Sequence, residues 1–224
     1  MNPPRIALIH ATPVAIEPIV AAFRRNWPEA QTTNLLEDSL ASDLSRDGRI
    51  TDAMHERFVR LARYAVDCGA DAVLFTCSAF GTSIERAAQA VPVPVLKPNE
   101  AMVADALAGA TRIGLLATFE PSIPSMQAEF EAMAAGKIQG GGRAVTLRTK
   151  AVPEAMQRLL AGDPEGHDAL IAEGAKALAD CEVIMLGQFS MASAAPRVAA
   201  AVPGARILTS PDSAIARLRA ALKA

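Results

Sequence analysis

The sequence predicts an α/β protein built as two pseudo-symmetric lobes, each a mostly parallel sheet flanked by helices. Three observations carry this. Short apolar runs alternate with Ala- and Leu-rich stretches whose charges recur at helical spacing, the signature of βαβ units. The runs before Cys77 and Gln188 are apolar without a break, as strands covered on both faces are. The first half of the chain is also echoed by the second.

The first strand is read at residues 5–9, leading into His10, Ala11 and Thr12. Residues 37–49 are charged with little periodic order. They read either as a mobile lid carrying Asp38 or Ser39 or as a solvated loop. A helical pattern covers 50–68 and feeds a strand at 72–75, after which come Thr76, Cys77 and Ser78. A helix follows over 84–90, and a strand at 93–96 runs into Pro98 and Asn99. The second half opens with a strand at 112–116, then Thr118 and a helix over 122–134. The glycines of 136–142 mark a loop before a strand at 144–148. A helix at 167–179, strands at 183–186 and 206–208, and a last helix complete the chain. The division is placed near 109–111, giving lobes of 1–109 and 110–224 with the last helix free to cross back.

The echo is specific. "IALIHATPVAIEP" answers "IGLLATFEPSIPS", "ADAVLFTCSAFG" answers "CEVIMLGQFSMA", and "VPVPVLKPNEA" answers "VPGARILTSPDSA". Thr12 thereby pairs with Thr118, Cys77 with Gln188 and Asn99 with Asp212, at nearly constant offsets.

Composition narrows the function. The chain has 224 residues, 51% of them hydrophobic, enough for a sizeable core. A net charge of -2 supplies no field to hold nucleic acid, and 4% aromatics give no base-stacking surface. No apolar run is long enough to span a membrane, and the first residues lack a signal-peptide pattern. Three cysteines, Cys68, Cys77 and Cys181, without CxxC spacing argue against a disulfide framework or a zinc site. His10, His55 and His167 are too scattered for a metal cluster. A cytoplasmic protein is the expectation.

Ligands of open α/β sheets bind beyond the carboxyl ends of the strands. The small polar residues gather there: Thr12; Thr76, Cys77 and Ser78; Thr118 and Ser122; Gln188 and Ser190. Two such lobes facing each other would converge on one cleft, with helix N-termini suited to a small carboxylate. The same N–H groups would favour the Cys77 thiolate and lower its pKa. Each residue has a plainer reading. Ser78 and Ser122 could cap the helices that follow, Gln188 could be a strand-end amide bonded to a loop, and Asn99 and Asp212 fit N-cap positions. His10 could be a base at the end of the first strand or a residue bonded to a backbone group.

The segments "LFTCSAFG", "LGQFSMA", "LLATFEPS" and "NLLEDSL…DGRIT" resemble the aspartate/glutamate racemase superfamily, with hydantoin racemase, maleate isomerase and arylmalonate decarboxylase among its members. The resemblance implies two α/β lobes with the site between them, no cofactor, and in two-base members one cysteine per lobe. Cys77 matches the first-lobe cysteine. The second motif departs: it reads Leu186-Gly187-Gln188, and an amide cannot act as a base. Cys181 lies before its strand and Cys68 closes a helix; both read as buried structural cysteines. Three chemistries remain for Cys77. It could protonate a planar intermediate after decarboxylation or isomerisation. Its thiolate could attack a substrate, as in maleate isomerase. Or it could share a racemisation with another group, for which His10 is the candidate. Thr118 and Ser122 resemble the carboxylate-binding loop, and Gln188 is a candidate for recognition. The leading expectation is a cofactor-independent racemase or isomerase acting on a small carboxylate or amino-acid-like substrate. A single-cysteine decarboxylase, a cis–trans isomerase or a non-catalytic binding protein are the alternatives. No GxGxxG or GxxxxGK[ST] follows a strand, which weakens a nucleotide enzyme. Outer Ala-rich helices permit a homodimer.

Overall fold

The computed structural model describes residues 3–223. The chain falls into two compact units: one runs to Pro98 and takes in the chain from Ala214, the other is Asn99–Ser213.

The first unit is a parallel sheet of β1 (Arg5–His10), β2 (Gln31–Leu36), β3 (Ala72–Phe75) and β4 (Val95–Leu96), in the order β2-β1-β3-β4. The central strands β1 and β3 are buried along almost their whole length, which is why they read as continuous apolar runs. Around them lie α1 (Ile16–Asn26), α2 (Ser39–Asp47), α3 (Asp52–Asp67) and α4 (Gly81–Gln89). Thr51 starts α3 by accepting the Met54 N–H at 3.3 Å. Met54, Phe58, Ala62 and Ala65 then form one buried stripe at helical spacing. The Phe58 ring centroid lies 5.0 Å from those of Phe75 at the end of β3, on which it stacks, and Phe80 beyond Cys77, to which it is tilted, so the core braces the segment that carries the thiol.

The second unit repeats the plan. Its strands are β5 (Arg112–Ala117), β6 (Thr146–Ala151), β7 (Val183–Leu186) and β8 (Arg206–Thr209), parallel and in the order β6-β5-β7-β8. The helices are α5 (Glu100–Gly109), α6 (Ile123–Gln139), α7 (Pro153–Leu160), α8 (Pro164–Ala175), α9 (Ala195–Ala201) and α10 (Ser210–Leu222). Glu182 fixes the start of β7 to that of β5. Its carboxylate accepts from the Thr111 and Arg112 N–H groups at 2.8 Å each and from the Thr111 hydroxyl at 3.0 Å. Those donors hold its pKa down at about 2. From Ala214 onward α10 clusters with the first unit, where Arg219 donates to the Asn26 carbonyl at 3.0 Å and lies over the Trp27 ring.

The α/β class and the parallel sheets are as the sequence predicts. Several boundaries differ. β2 was not anticipated: QTTNLL is a polar edge strand with no apolar alternation to reveal it. Residues 37–49 are not a loop but mostly α2. Arg57 of α3 holds that segment through ion pairs to Glu37 and Asp43, and Gly48 ends the helix in the left-handed region at φ 66°. α6 passes through Gly136 to Gln139, and β6 begins at Thr146 rather than 144. The units divide at Pro98/Asn99 rather than at 109–111, because α5 packs on α6, β7 and β8. Residues 1, 2 and 224, included in the expected lobes, lie outside the described residues. Cys181 is buried beside Gly114, whereas Cys68, also expected to be buried, is exposed at the C-cap of α3. No described helix is long and apolar enough to cross a membrane. No group of three or more His, Cys, Asp or Glu placed to hold a metal forms among the described residues.

Candidate active site

In the first unit the site residues stand where β1 and β3 end side by side. β3 is carried one residue past its end by the Thr76 N–H donating to the Ile9 carbonyl at 3.0 Å. Cys77 follows in extended conformation, then a tight turn, Ser78–Phe80, opens directly into α4. The thiol is half-buried and receives the Ala79 N–H. That N–H pulls its pKa down, as the sequence suggests, but desolvation is the larger effect and pushes the thiol from 9.0 up to about 11. The expected low-pKa thiolate is therefore not what this environment makes. Cys77 is a protonated thiol at neutral pH, better suited to give a proton than to attack.

His10 is fully buried, and both ring nitrogens are engaged. Nε2 lies 3.0 Å from Asn34 Oδ1, which can only accept, so Nε2 carries the proton. Nδ1 then accepts from the Thr76 hydroxyl at 2.9 Å. Burial lowers the His10 pKa against the opposing Asn34 hydrogen bond, so the ring is neutral at pH 7. This is the plainer of its two readings, except that the partners are side chains. His10 ties the end of β1 to the residue preceding Cys77. Thr12 and Ser78 are half-buried and make no side-chain hydrogen bond among the described residues, so neither caps a helix.

The second unit has the same joint with a different fitting. The Gly187 N–H donates to the Leu116 carbonyl at 2.9 Å, the counterpart of Thr76 to Ile9. A Cβ at Gly187 would stand 2.8 Å from Met126 Cε and 3.1 Å from the Leu116 carbonyl oxygen, which is why glycine is needed there. Gln188, at the position equivalent to Cys77, turns its amide onto the loop after β5. Its Oε1 accepts the Thr118 N–H at 2.8 Å and the Thr118 hydroxyl at 3.3 Å. Its Nε2 donates to Ser122 Oγ at 2.9 Å. Ser122 in turn donates to the Phe119 carbonyl at 2.7 Å and does not cap α6 with its side chain. Thr118, Ser122 and Gln188 thus form one network. Ser190 stands apart from it, buried at 6% exposure with its hydroxyl unpartnered among the described residues.

The partner of His10 had no signal in the sequence: Asn34 sits on β2. Asn99, expected as an N-cap, takes that position of α5 but does not cap; its Oδ1 accepts from Ser210 Oγ at 2.6 Å. Asp212 lies inside α10 and accepts from the Thr209 hydroxyl at 2.6 Å rather than preceding the helix.

A family model described as Asp/Glu/Hydantoin racemase matches residues 9–218. No curated protein matches the sequence. Among solved structures, the glutamate racemase of Thermus thermophilus, in complex with β-chloro-D-alanine, is similar at a TM-score of 0.70 and 18% identity, over 99% of this chain and 82% of that one. The aspartate racemase of Picrophilus torridus is similar at 0.73 and 9% identity, over 97% and 93%. Arylmalonate decarboxylase is similar at 0.66 and 18% identity, over 97% and 92%. At these identities the likeness is one of fold.

Proposed function

Because the chain belongs to the Asp/Glu/hydantoin racemase family, we propose that it is a cofactor-independent enzyme that moves a proton at the carbon next to a carboxylate, with Cys77 as the proton donor. The observation that carries this reading is the thiol itself: half-buried, at a strand end, and held protonated to about pH 11. Within the family's chemistry, that favours protonation of a planar intermediate over nucleophilic attack. In the decarboxylase form of the reaction the bond to one carboxylate breaks and CO₂ leaves. The electron pair stays on the α-carbon, delocalised as an enediolate over the remaining carboxylate. The Cys77 S–H bond then breaks as the new C–H bond forms, and the thiolate recovers a proton from water. Racemisation requires an acid–base group for each face of the intermediate. His10 is closed off by Asn34 and Thr76, and Gln188 does not titrate, so neither supplies the second one. The reading is therefore a one-thiol enzyme that yields a single enantiomer from a small carboxylate substrate.

The test is α-proton exchange in D₂O. Substituted malonates, amino acids and hydantoins are incubated with the protein and with its Cys77→Ser variant, and the products are followed by NMR and chiral separation. Decarboxylation or exchange giving one enantiomer, abolished in the variant, is the expected result. Loss of optical purity in step with deuterium uptake would require a second base. No turnover of any compound would make the chain a binding protein of this fold.

A further inference from the structure

We infer that α2 is a lid over the strand end that carries Cys77, hinged at Gly48 and latched shut by Arg57 of α3. Every part of the device lies within the first unit. Of the nine residues of α2 only Leu40 is buried. Leu40 belongs to the core cluster of Phe58, Phe75 and Phe80, and Leu44 and Cys77 pack against that same cluster. The chain enters the segment at the strand ends: the Glu37 N–H donates to the carbonyl of His10, the last residue of β1, at 2.9 Å. β1 pairs with β3, so α2 and the thiol stand at one end of one sheet. A helix this short that buries a single side chain does not hold itself in place in water. Charge holds it instead. Arg57 is half-buried and turns its guanidinium on this segment, pairing with Glu37 and, at 2.6 Å, with Asp43, and donating to the Ser39 hydroxyl. Ser39 in turn donates to the other oxygen of Glu37 at 2.6 Å. Without the guanidinium, two half-buried carboxylates would be left unpaired side by side. The far end has room to swing: Gly48 stands at φ 66°, a region that glycine enters and leaves without strain, and a Cβ there would meet nothing within 4 Å. Opening admits water and reagents to a sulfur whose ionisation desolvation otherwise governs. That substrate enters the same way rests on the catalytic reading above; the lid itself does not.

The experiment uses the full chain in a Cys68→Ser background, which removes the exposed cysteine. Two rates are read: amide hydrogen exchange across α2, with α3 as internal reference, and alkylation of Cys77 by iodoacetamide, normalised to a free thiol. Arg57→Met keeps the apolar stem and removes the charge. It is expected to speed exchange at residues 44–48 by about tenfold or more and Cys77 alkylation by a similar factor, with residues 58–65 of α3 within about threefold of the unaltered chain. Salt perturbs the same latch without a substitution: raising NaCl from about 0.05 M to about 1 M screens the ion pairs and should speed both rates by about threefold. Should Arg57→Met disturb α3 as well, the salt response decides. Exchange in α2 that ignores both perturbations overturns the latch. Faster α2 exchange with Cys77 alkylation unmoved overturns the lid. If both rates respond and no substrate turns over, the lid stands and only the catalytic reading falls.

Discussion

The most exposed prediction concerns the ionisation of Cys77. The thiol is raised from 9.0 to about 11, roughly two units, which disfavours its thiolate by about 2.7 kcal/mol. At pH 8 that leaves a thiolate fraction on the order of 10⁻³, against about 10⁻¹ for an unshifted thiol. A thiolate of higher pKa is intrinsically more nucleophilic, which returns about tenfold of that difference. Alkylation by iodoacetamide at pH 8 should then run about tenfold slower than for a small reference thiol of pKa 9. Restricted access could also slow it, so the pH profile decides. The logarithm of the rate should climb with unit slope through pH 9 and bend only near 11. The assay is mass spectrometry of the Cys77 peptide in a Cys68→Ser background, which removes the exposed cysteine that shares that segment. A plateau at or below pH 9 would refute the argument: the Ala79 N–H and the start of α4 would then outweigh desolvation, and Cys77 would be a base or nucleophile.

Three further variants can be checked by denaturation. His10→Leu should cost about 1–2 kcal/mol in urea unfolding, because Thr76 loses a buried partner. Since the folded pKa of His10 lies below its unfolded value of 6.5, the stability it contributes is present above pH 6.5 and lost as pH falls through the folded value; His10→Leu should flatten that slope. Gly187→Ala should destabilise by about 1–3 kcal/mol, since its methyl would press on the Leu116 carbonyl, which cannot rotate away. Glu182→Gln should move acid unfolding to higher pH, because the depressed pKa near 2 stabilises the fold above 4.5 and that stabilisation is lost as pH falls toward 2.

The sequence displays the parts of this fold that are buried on both faces. β1, β3, β5 and β7 are unbroken apolar runs because helices cover them on each side, and their positions were legible to within a residue. β2 and β6 are edges, half exposed and rich in Thr, Asn, Arg and Lys, and a polar edge has no period to find. The strand-end residues were legible for another reason: the repeat aligns Thr12 with Thr118 and Cys77 with Gln188. Their partners were not. His10 meets Thr76 across 66 residues and Gln188 meets Thr118 across 70, and side-chain bonds at that separation leave no local mark. The direction of the Cys77 shift differs from the sequence expectation for a similar reason. The amides of a following turn can be counted from the sequence, whereas desolvation is a property of everything packed around the sulfur.

The two strand-end joints bear on how such a chain diverges. Two units of one plan carry each structural duty twice, and either can discharge it with a different side chain. In the first unit an upstream histidine fastens β1 to β3, and the residue after the joint is left free to be a thiol. In the second unit the fastening falls on that later residue itself, which must then be an amide. Placing a reactive group at 188 would accordingly take two changes, a new fastener and the thiol itself. A thiol placed there without that new fastener would leave the Thr118 N–H and the Ser122 hydroxyl short of a partner and the loop after β5 loosened.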